Sequence, residues 1–482
     1  MRFSSTDAIE KNIQNAMRLA GPTDLRQWGN VSELLDELTG GMNTKRWLGF
    51  DVIPGRGTTS VHIPFSDIRQ FKDNIDVLGV ETRRSGRTKV EKLYLARGNY
   101  SGWLRFFDNG FATFAPRAPE VAPTGARFDG LLRVELGGGR AETNPATRVR
   151  HFWREAAHWV PKQKKSNSLQ RELTFFAAKS LERTYSETRE ATAELDVMVD
   201  GDSEWNLRLL PQAGSNLNKL TRQRPQETRF SNLERGANSQ FYAHINTPMD
   251  SHRHKLAATA LDIAQRELER RFWRLAKPQR KIINDLLVQL GDAATQSTSL
   301  NIYAEMIGTQ DASNFVAGIA GDAKRVDDFL QRDELKSLLA VSKVESATAR
   351  NMYRLLPMAN SGVKPMIIAT TKDTIWVASG KQSRELLEAK LKAARGGTAA
   401  DMVDIQFRAI PLLESLSLSN RLRKWSNYKE DDVRLRTSTL RKQNSHGANP
   451  ITLSRTQITL GSGVTRIIGE WLGEFSRDNL DL

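Results

Sequence analysis

The chain has 482 residues, 39% of them hydrophobic and 26% charged, and it contains no cysteine. Disulfides, thiolate nucleophiles and Cys-ligated zinc or iron–sulfur sites are therefore excluded, and no stretch approaches the roughly 20 consecutive apolar residues of a spanning helix. An excess of 71 Lys and Arg over 56 Asp and Glu gives a net charge of +15, which favours contact with polyanions and is silent about fold.

The opening residues, Met1 to Asp7, lack an apolar core, so no secretion signal is expected within the chain. Ile9, Ile13 and Met17 predict a first helix, and Leu34, Leu35 and Leu38 a further one. A strand over 47–53 turns at Pro54-Gly55-Arg56-Gly57 and returns over 60–65. Ser66 is expected to cap a helix carrying Ile68, Phe71, Ile75 and Leu78. A hairpin follows, with strands 103–107 and 111–115 joined at Asp108-Asn109-Gly110, because Asn-Gly tolerates the positive φ of tight hairpin turns. A strand over 129–136 precedes a last hairpin in which Leu195, Val197 and Val199 alternate, then Trp205, Leu207 and Leu209.

The second half repeats this order. A strand at 241–245 leads to a helical hairpin over 253–291, broken at Pro278. Strands at 301–307 and 314–319 precede a helix with Val326, Phe329 and Leu330 on one side. Strands at 366–371 and 374–378 precede a helix with Leu386, Leu387 and Leu391. Residues 401–407 predict another strand. Ile451 and Leu453, then Ile458 and Leu460, predict a final strand pair before a closing helix with Val464, Ile467, Ile468, Trp471 and Phe475. The expectation is an α+β protein made of two tandem copies, 1–225 and 226–482, each an antiparallel sheet with helices.

The segments 46–53, 61–71, 102–115, 195–217 and 365–387 resemble a family of uncharacterised planctomycete bacterial proteins. The resemblance runs over most of the chain in pattern and order, and none of its segments is a catalytic signature. Members typically begin with a secretion signal, so it implies an extracytoplasmic location; it implies no activity for any residue. This chain differs in lacking the signal and in its strong positive charge.

Few residues suggest chemistry. His244, His252 and His254 are near in sequence, with Asp250 the nearest carboxylate, but the segment reads as a solvated loop and no metal site is expected. His151 and His158 fit the polar border of an amphipathic helix better than a general base. The runs Gly137-Gly138-Gly139, Gly396-Gly397 and Gly461-Ser462-Gly463 match no nucleotide-binding pattern.

Three stretches mix basic and aromatic residues. One runs from Arg148 to Lys165 around Trp153 and Trp159. The second holds Arg270, Arg271, Trp273 and Arg274. The third holds Arg421, Arg423, Lys424 and Trp425 and extends to Arg434, Arg436 and Arg441. Such mixtures suit a polyanion, by charge neutralisation and stacking, although acids such as Glu267, Glu269 and Asp431 interrupt them.

The expected function is therefore non-enzymatic binding or structure in the bacterial cell envelope, with no cofactor. One alternative is a cationic protein that binds nucleic acid or an acidic polysaccharide. Another is an enzyme whose site carries no recognisable motif.

Overall fold

The computed structural model describes residues 1–53, 58–77, 79–84, 90–95, 99–124, 128, 130–136, 149–150, 153, 168–197, 200–223, 227–236, 238–271, 275–296, 298–308, 314–355, 365–398, 401–410, 430–442 and 451–479.

The chain opens with β1 (Arg2–Phe3) and three helices, α1 (Thr6–Ala20), α2 (Pro22–Leu25) and α3 (Trp28–Thr39). Strands β2 (Leu48–Ile53) and β3 (Thr58–Pro64) lead to α4 (Ile68–Val77). Four strands follow, β4 (Val80–Arg84), β5 (Val90–Leu95), β6 (Asn99–Phe107) and β7 (Phe111–Ala115), and then β8 (Leu132–Leu136). Helix α5 (Ser168–Glu187) runs into β9 (Thr188–Val197), β10 (Ser203–Pro211) and the short α6 (Asn216–Arg222).

Beyond β11 (Glu227–Thr228) come β12 (Ser239–Pro248), α7 (Ser251–Arg271) and α8 (Lys277–Thr295). Strands β13 (Ser299–Ile307) and β14 (Asn314–Ala320) precede α9 (Ala323–Leu330) and α10 (Asp333–Leu339). Then follow β15 (Ser342–Val344), β16 (Asn351–Leu355), β17 (Met366–Thr370), β18 (Thr374–Ser379) and α11 (Ser383–Ala393). The rest is β19 (Gly397–Thr398), β20 (Val403–Arg408), β21 (Asp432–Lys442), β22 (Ile451–Leu460) and α12 (Ser462–Asn479).

Twenty of the strands form one sheet, every pairing antiparallel, so the fold is α+β. From one edge to the other the order is β4-β5-β6-β7-β3-β2-β1-β8-β9-β10-β22-β21-β20-β12-β13-β14-β18-β17-β16-β15. Charged residues occupy both edges, Glu81, Arg83 and Arg84 on β4 and Lys343 on β15, which discourages further strands from pairing there.

Alternation along the strands sends one set of side chains to a helix-covered face. In the first half, Phe71 and Ile75 of α4 pack on Leu93, Leu104, Phe106 and Ala112. In the second, Ile282 and Leu286 of α8 and Val326, Phe329 and Leu330 of α9 pack on Tyr353, Ile368 and Ile375. On the other face of the second half, α11 and the segment 228–233 cover Tyr303, Trp376 and Ala369 through Leu387, Phe230 and Leu233.

Two joints tie the halves together besides the β10–β22 pairing. Helix α12 lies against α1 so closely that a Cβ at Gly469 would stand 1.9 Å from the Ala16 carbonyl oxygen, and Arg477 pairs with Asp24 at 2.9 Å. At the other joint, Arg183 of α5 holds Glu187 at 2.9 Å and Asp250, which caps α7, at 2.7 Å. Burial works to raise the Asp250 pKa, but hydrogen bonds from Arg183 and the Arg253 amide outweigh it and bring it down to about 2.

Several expectations need correction. Ser66 does not cap α4; the Asp67 carboxylate accepts the Arg69 and Gln70 amides, while Ser66 Oγ donates to the Met42 carbonyl. Residues 451–460 form one continuous strand whose hairpin partner is β21, because nothing in the polar centre Arg455-Thr456-Gln457 turns the chain. His252 and His254 stand in the first turn of a helix rather than in a loop, and neighbours two apart on a helix point away from each other.

Candidate ligand-binding face

The face of the first-half sheet opposite α4 is built by residues that alternate with the core. On β6 and β7 these are Trp103, Arg105 and Phe107 facing Ala115, Thr113 and Phe111 in direct register. On β5 and β4 they are Lys92, directly opposite both Trp103 and Arg83, and Tyr94. Directly opposed and diagonal side chains on one sheet face come within reach of each other, and here that pairs cations with rings.

Five such pairs line this face. Arg2 Cζ lies 5.0 Å from the Trp47 ring centroid and Arg46 Cζ 4.3 Å from that of Phe111. Arg105 Cζ lies 4.8 Å from Phe107, Lys92 Nζ 5.4 Å from Trp103, and Arg83 Cζ 4.6 Å from Tyr94. Trp47 itself rests on Phe111, ring centroids 4.5 Å apart. The rings hold the cations in place.

Acidic compensation is sparse. Arg83 pairs with Glu81 at 3.0 Å, both well exposed, and Arg2 lies 3.7 Å from Glu135. Among the described residues Arg46, Lys92 and Arg105 have no carboxylate partner. Arg46 donates to the Asn109 carbonyl at 2.7 Å, and Arg105 to that of Pro119 at 2.8 Å, which fastens the segment after β7 beside the face.

His62, on the same face, has Nε2 2.9 Å from Asp51 Oδ2 and Nδ1 3.0 Å from Thr113 Oγ1. The three residue types match a nucleophile, its base and an orienting acid, but the order of access is reversed. Thr113 as a residue is 2% exposed, whereas the Asp51 side chain is 56% exposed. A substrate would meet the acid and never the hydroxyl, so the trio ties β2, β3 and β7 together. The hydrogen bond from His62 holds the Asp51 carboxyl below its ordinary pKa against the opposing effect of burial, with Arg2 adding to the lowering.

Toward the centre the same face changes character. Asp404, Arg436, Gln457, Asn206, Glu194, Arg133 and Arg2 lie opposite one another in turn across the strands from β20 to β1. Here the charges answer each other: Arg434 grips Asp404 with two hydrogen bonds, 2.7 and 2.9 Å, and Arg133 reaches Glu135 at 2.7 Å and Glu194 at 3.5 Å. A self-neutralised strip of this kind is a solvated sheet surface rather than an ion site.

In the second half the equivalent surface is closed. Lys390 of α11 lies 5.3 Å from the Tyr303 ring centroid and is paired with the fully buried Glu305, which also accepts the Tyr303 hydroxyl at 2.6 Å and the Gly236 amide at 2.6 Å. Burial opposes the charge on Glu305, but these three donors keep its pKa below the ordinary value. Burial and the nearby carboxylate push the Tyr303 phenol up.

The residues singled out from the sequence do not assemble here. Arg270 lies on α7 and is paired with Glu267 at 2.7 Å; Arg271 ends that helix. Trp273, Arg274, Arg421, Arg423, Lys424 and Trp425 lie outside the described residues. Arg434 and Arg436 belong to the central strip. His244 is on β12, its Nε2 3.0 Å from Thr228 Oγ1, and burial lowers its pKa. Among the described residues no group of three or more His, Cys, Asp or Glu could hold a metal ion, and no helix is long and apolar enough to cross a membrane.

No family model matches the chain, and no curated protein matches it. Among solved structures, crystal forms I, III and IV of TP0453 are similar, each at 9% identity. They cover 50%, 52% and 51% of this chain and 96%, 98% and 97% of that one, with TM-scores of 0.25, 0.23 and 0.22. A likeness so slight bears on neither fold nor function.

Proposed function

We propose that this chain is a tandem duplication acting as a non-enzymatic binding protein, and that its ligand surface is the cation–aromatic face of the first copy. Support for duplication comes from strand order. Outward from β10 the sheet runs β9, β8, β1, β2, β3, β7, β6, β5, β4; outward from β22 it runs β21, β20, β12, β13, β14, β18, β17, β16, β15. Each strand of one list holds the same ordinal place as its counterpart, so copies of 1–225 and 226–482 account for the pairing. A location in the bacterial cell envelope rests on the sequence resemblance, and fractionation of native cells tests it.

The observation that carries the binding reading is the set of five ring-backed cations on one sheet face, three of them without a carboxylate partner among the described residues. Positive charge held in place and uncompensated favours a polyanionic ligand. Titration of a fluorescent polyanion (heparin or oligo-dT) in rising salt is the test. With three ionic contacts, binding should weaken roughly 20-fold between 50 and 200 mM salt, and Lys92→Glu should weaken it further. Affinity that ignores both salt and Lys92→Glu would refute the assignment.

A further inference from the structure

We infer that segment 227–233 is a strap which neutral His244 latches to the second-half sheet and which mild acidification releases before the sheet itself unfolds. This goes beyond the binding reading and does not depend on it. The strap is fastened by two buried apolar residues, Phe230 and Leu233. Phe230 drops into a slot floored by Gly318, where a Cβ would stand 2.9 Å from its ring. Trp376, Tyr303 and His244 frame the slot, their ring centroids 5.3, 6.2 and 6.5 Å from that of Phe230. Beyond those anchors the hold is slight. Pairing of β11 with β19 joins only Glu227 to Thr398 and Thr228 to Gly397, and the Arg229–Asp373 ion pair, 2.8 Å, is exposed and of a kind that contributes little.

The latch is a chain of hydrogen bonds in which each hydrogen has one place to go. Asn301 donates from Nδ2 to the Glu227 carbonyl at 3.2 Å, so its Oδ1 is left to accept the Thr228 hydroxyl at 3.0 Å. The Thr228 oxygen also accepts the Phe230 amide at 3.1 Å, and its remaining lone pair meets His244 Nε2 at 3.0 Å. The neutral His244 ring therefore carries its hydrogen on Nε2. A second proton would place a charge on a ring packed against Phe230. Burial opposes that charge and lowers the His244 pKa, with Asp404 working the other way. Asp404 lies directly opposite on β20 but is already gripped by Arg434 of β21. Tyr303, opposite on β13, gives its hydroxyl to Glu305, which Lys390 of α11 neutralises. On the strap itself Arg229 is paired with Asp373, and Glu227 is exposed. Once the strap lifts, the His244 ring meets water and regains its ordinary pKa of about 6.5, so the open form takes up a proton that the closed form resists. Closure is then at full strength above about pH 6.5 and weakens as pH falls below it. Opening uncovers one side of the Tyr303 and Trp376 rings, which lie on the sheet face that Arg2 shares.

The test is hydrogen exchange of the full chain read by mass spectrometry, with protection taken relative to unstructured peptide at the same pH. One proton and an open-state pKa of about 6.5 limit the shift in the opening equilibrium to ~10-fold between pH 7.5 and 5.5. Protection of the strap, 227–233, should fall about 3- to 10-fold over that range while β13 and β18 keep theirs. His244→Gln, whose side-chain amide can still donate to Thr228 Oγ1 but cannot titrate, should abolish the fall. Strap protection that ignores pH in the wild type, an equal fall in His244→Gln, or a parallel fall in β13 and β18 would each overturn the inference. Should His244→Gln fail to fold by far-UV circular dichroism, His244→Asn replaces it under the same criteria.

Discussion

The two ends of the sheet handle the same local arrangement in opposite ways. At each, a lysine lies over an aromatic ring, Lys390 on Tyr303 and Lys92 on Trp103. In the second half a buried carboxylate, Glu305, neutralises the lysine, and α11 closes over both. In the first half the described residues supply neither an acid for Lys92 nor a helix in the connection after β7. The difference teaches that a cation–ring pair is not in itself core or surface. One buried acid and one amphipathic helix decide which it becomes, because burying a charge is tolerable only when it is paired and hydrogen-bonded.

The largest effect should come from breaking the closed end. Glu305→Ala leaves Lys390 without its partner beneath α11, and loss of one member of a buried pair typically costs about 3–5 kcal/mol. Urea denaturation should show that loss, whereas Lys92→Ala at the open end should change stability by less than about 0.5 kcal/mol. Equal effects would dissolve the contrast. Leu387→Ala, which opens a cavity under α11, should cost about 2–4 kcal/mol, measured in the same way.

The joint between the halves gives an intermediate effect with a pH signature. The Asp250 pKa, about 2 in the folded chain, lies below its unfolded value, so the stabilisation is present above about pH 4 and fades as pH falls through 2. Asp250→Asn should lose roughly 1 kcal/mol at pH 7, allowing for partial solvent screening, and match the wild type only near pH 1. Denaturation at stepped pH checks it; a difference undiminished at pH 1 would assign the loss to capping geometry rather than charge. The smallest effect is again at the open end. Lys92→Ala should leave stability alone and reduce the salt slope of polyanion binding by about 0.7, one contact's worth on a single-stranded nucleic acid probe.

Much of the fold was legible because hairpins and amphipathic helices are local. The Asn109-Gly110 turn stands where it was expected, with Gly110 at φ 79°, and the apolar stripes of α9 and α11 lie where the spacing placed them; on α4 Phe71 and Ile75 are buried as expected, Ile68 is exposed and Leu78 lies outside the described residues. Strands β4 and β15 were not legible, since edge strands such as Val80–Arg84 carry charges in place of apolar alternation. In β21 the alternation of Val433 and Leu435 with Arg434 and Arg436 was present, but the basic residues drew the reading toward a charge cluster. The candidate face was hidden for a different reason. Two of its pairs join residues far apart in sequence, Arg2 with Trp47 and Arg46 with Phe111, which strand pairing across β1, β2, β3 and β7 brings together. The other three lie on β4, β5 and β6, the first two of which carry mixed charge that hid their alternation. Searching for basic and aromatic residues within one short window selected the opposite kind of site.

The close seating of α12 on α1 through Gly469 has a consequence for how the chain is made. During synthesis from the N-terminus, α1, which ends at Ala20, emerges well over half this chain's length before its partner helix, which begins at Ser462, leaves the ribosome. Until then the buried side of α1, including Ala16 and Met17, stays unpartnered, a period in which a chaperone would bind it and a truncated product would aggregate. The first half of this protein is thus finished by the last helix of the second.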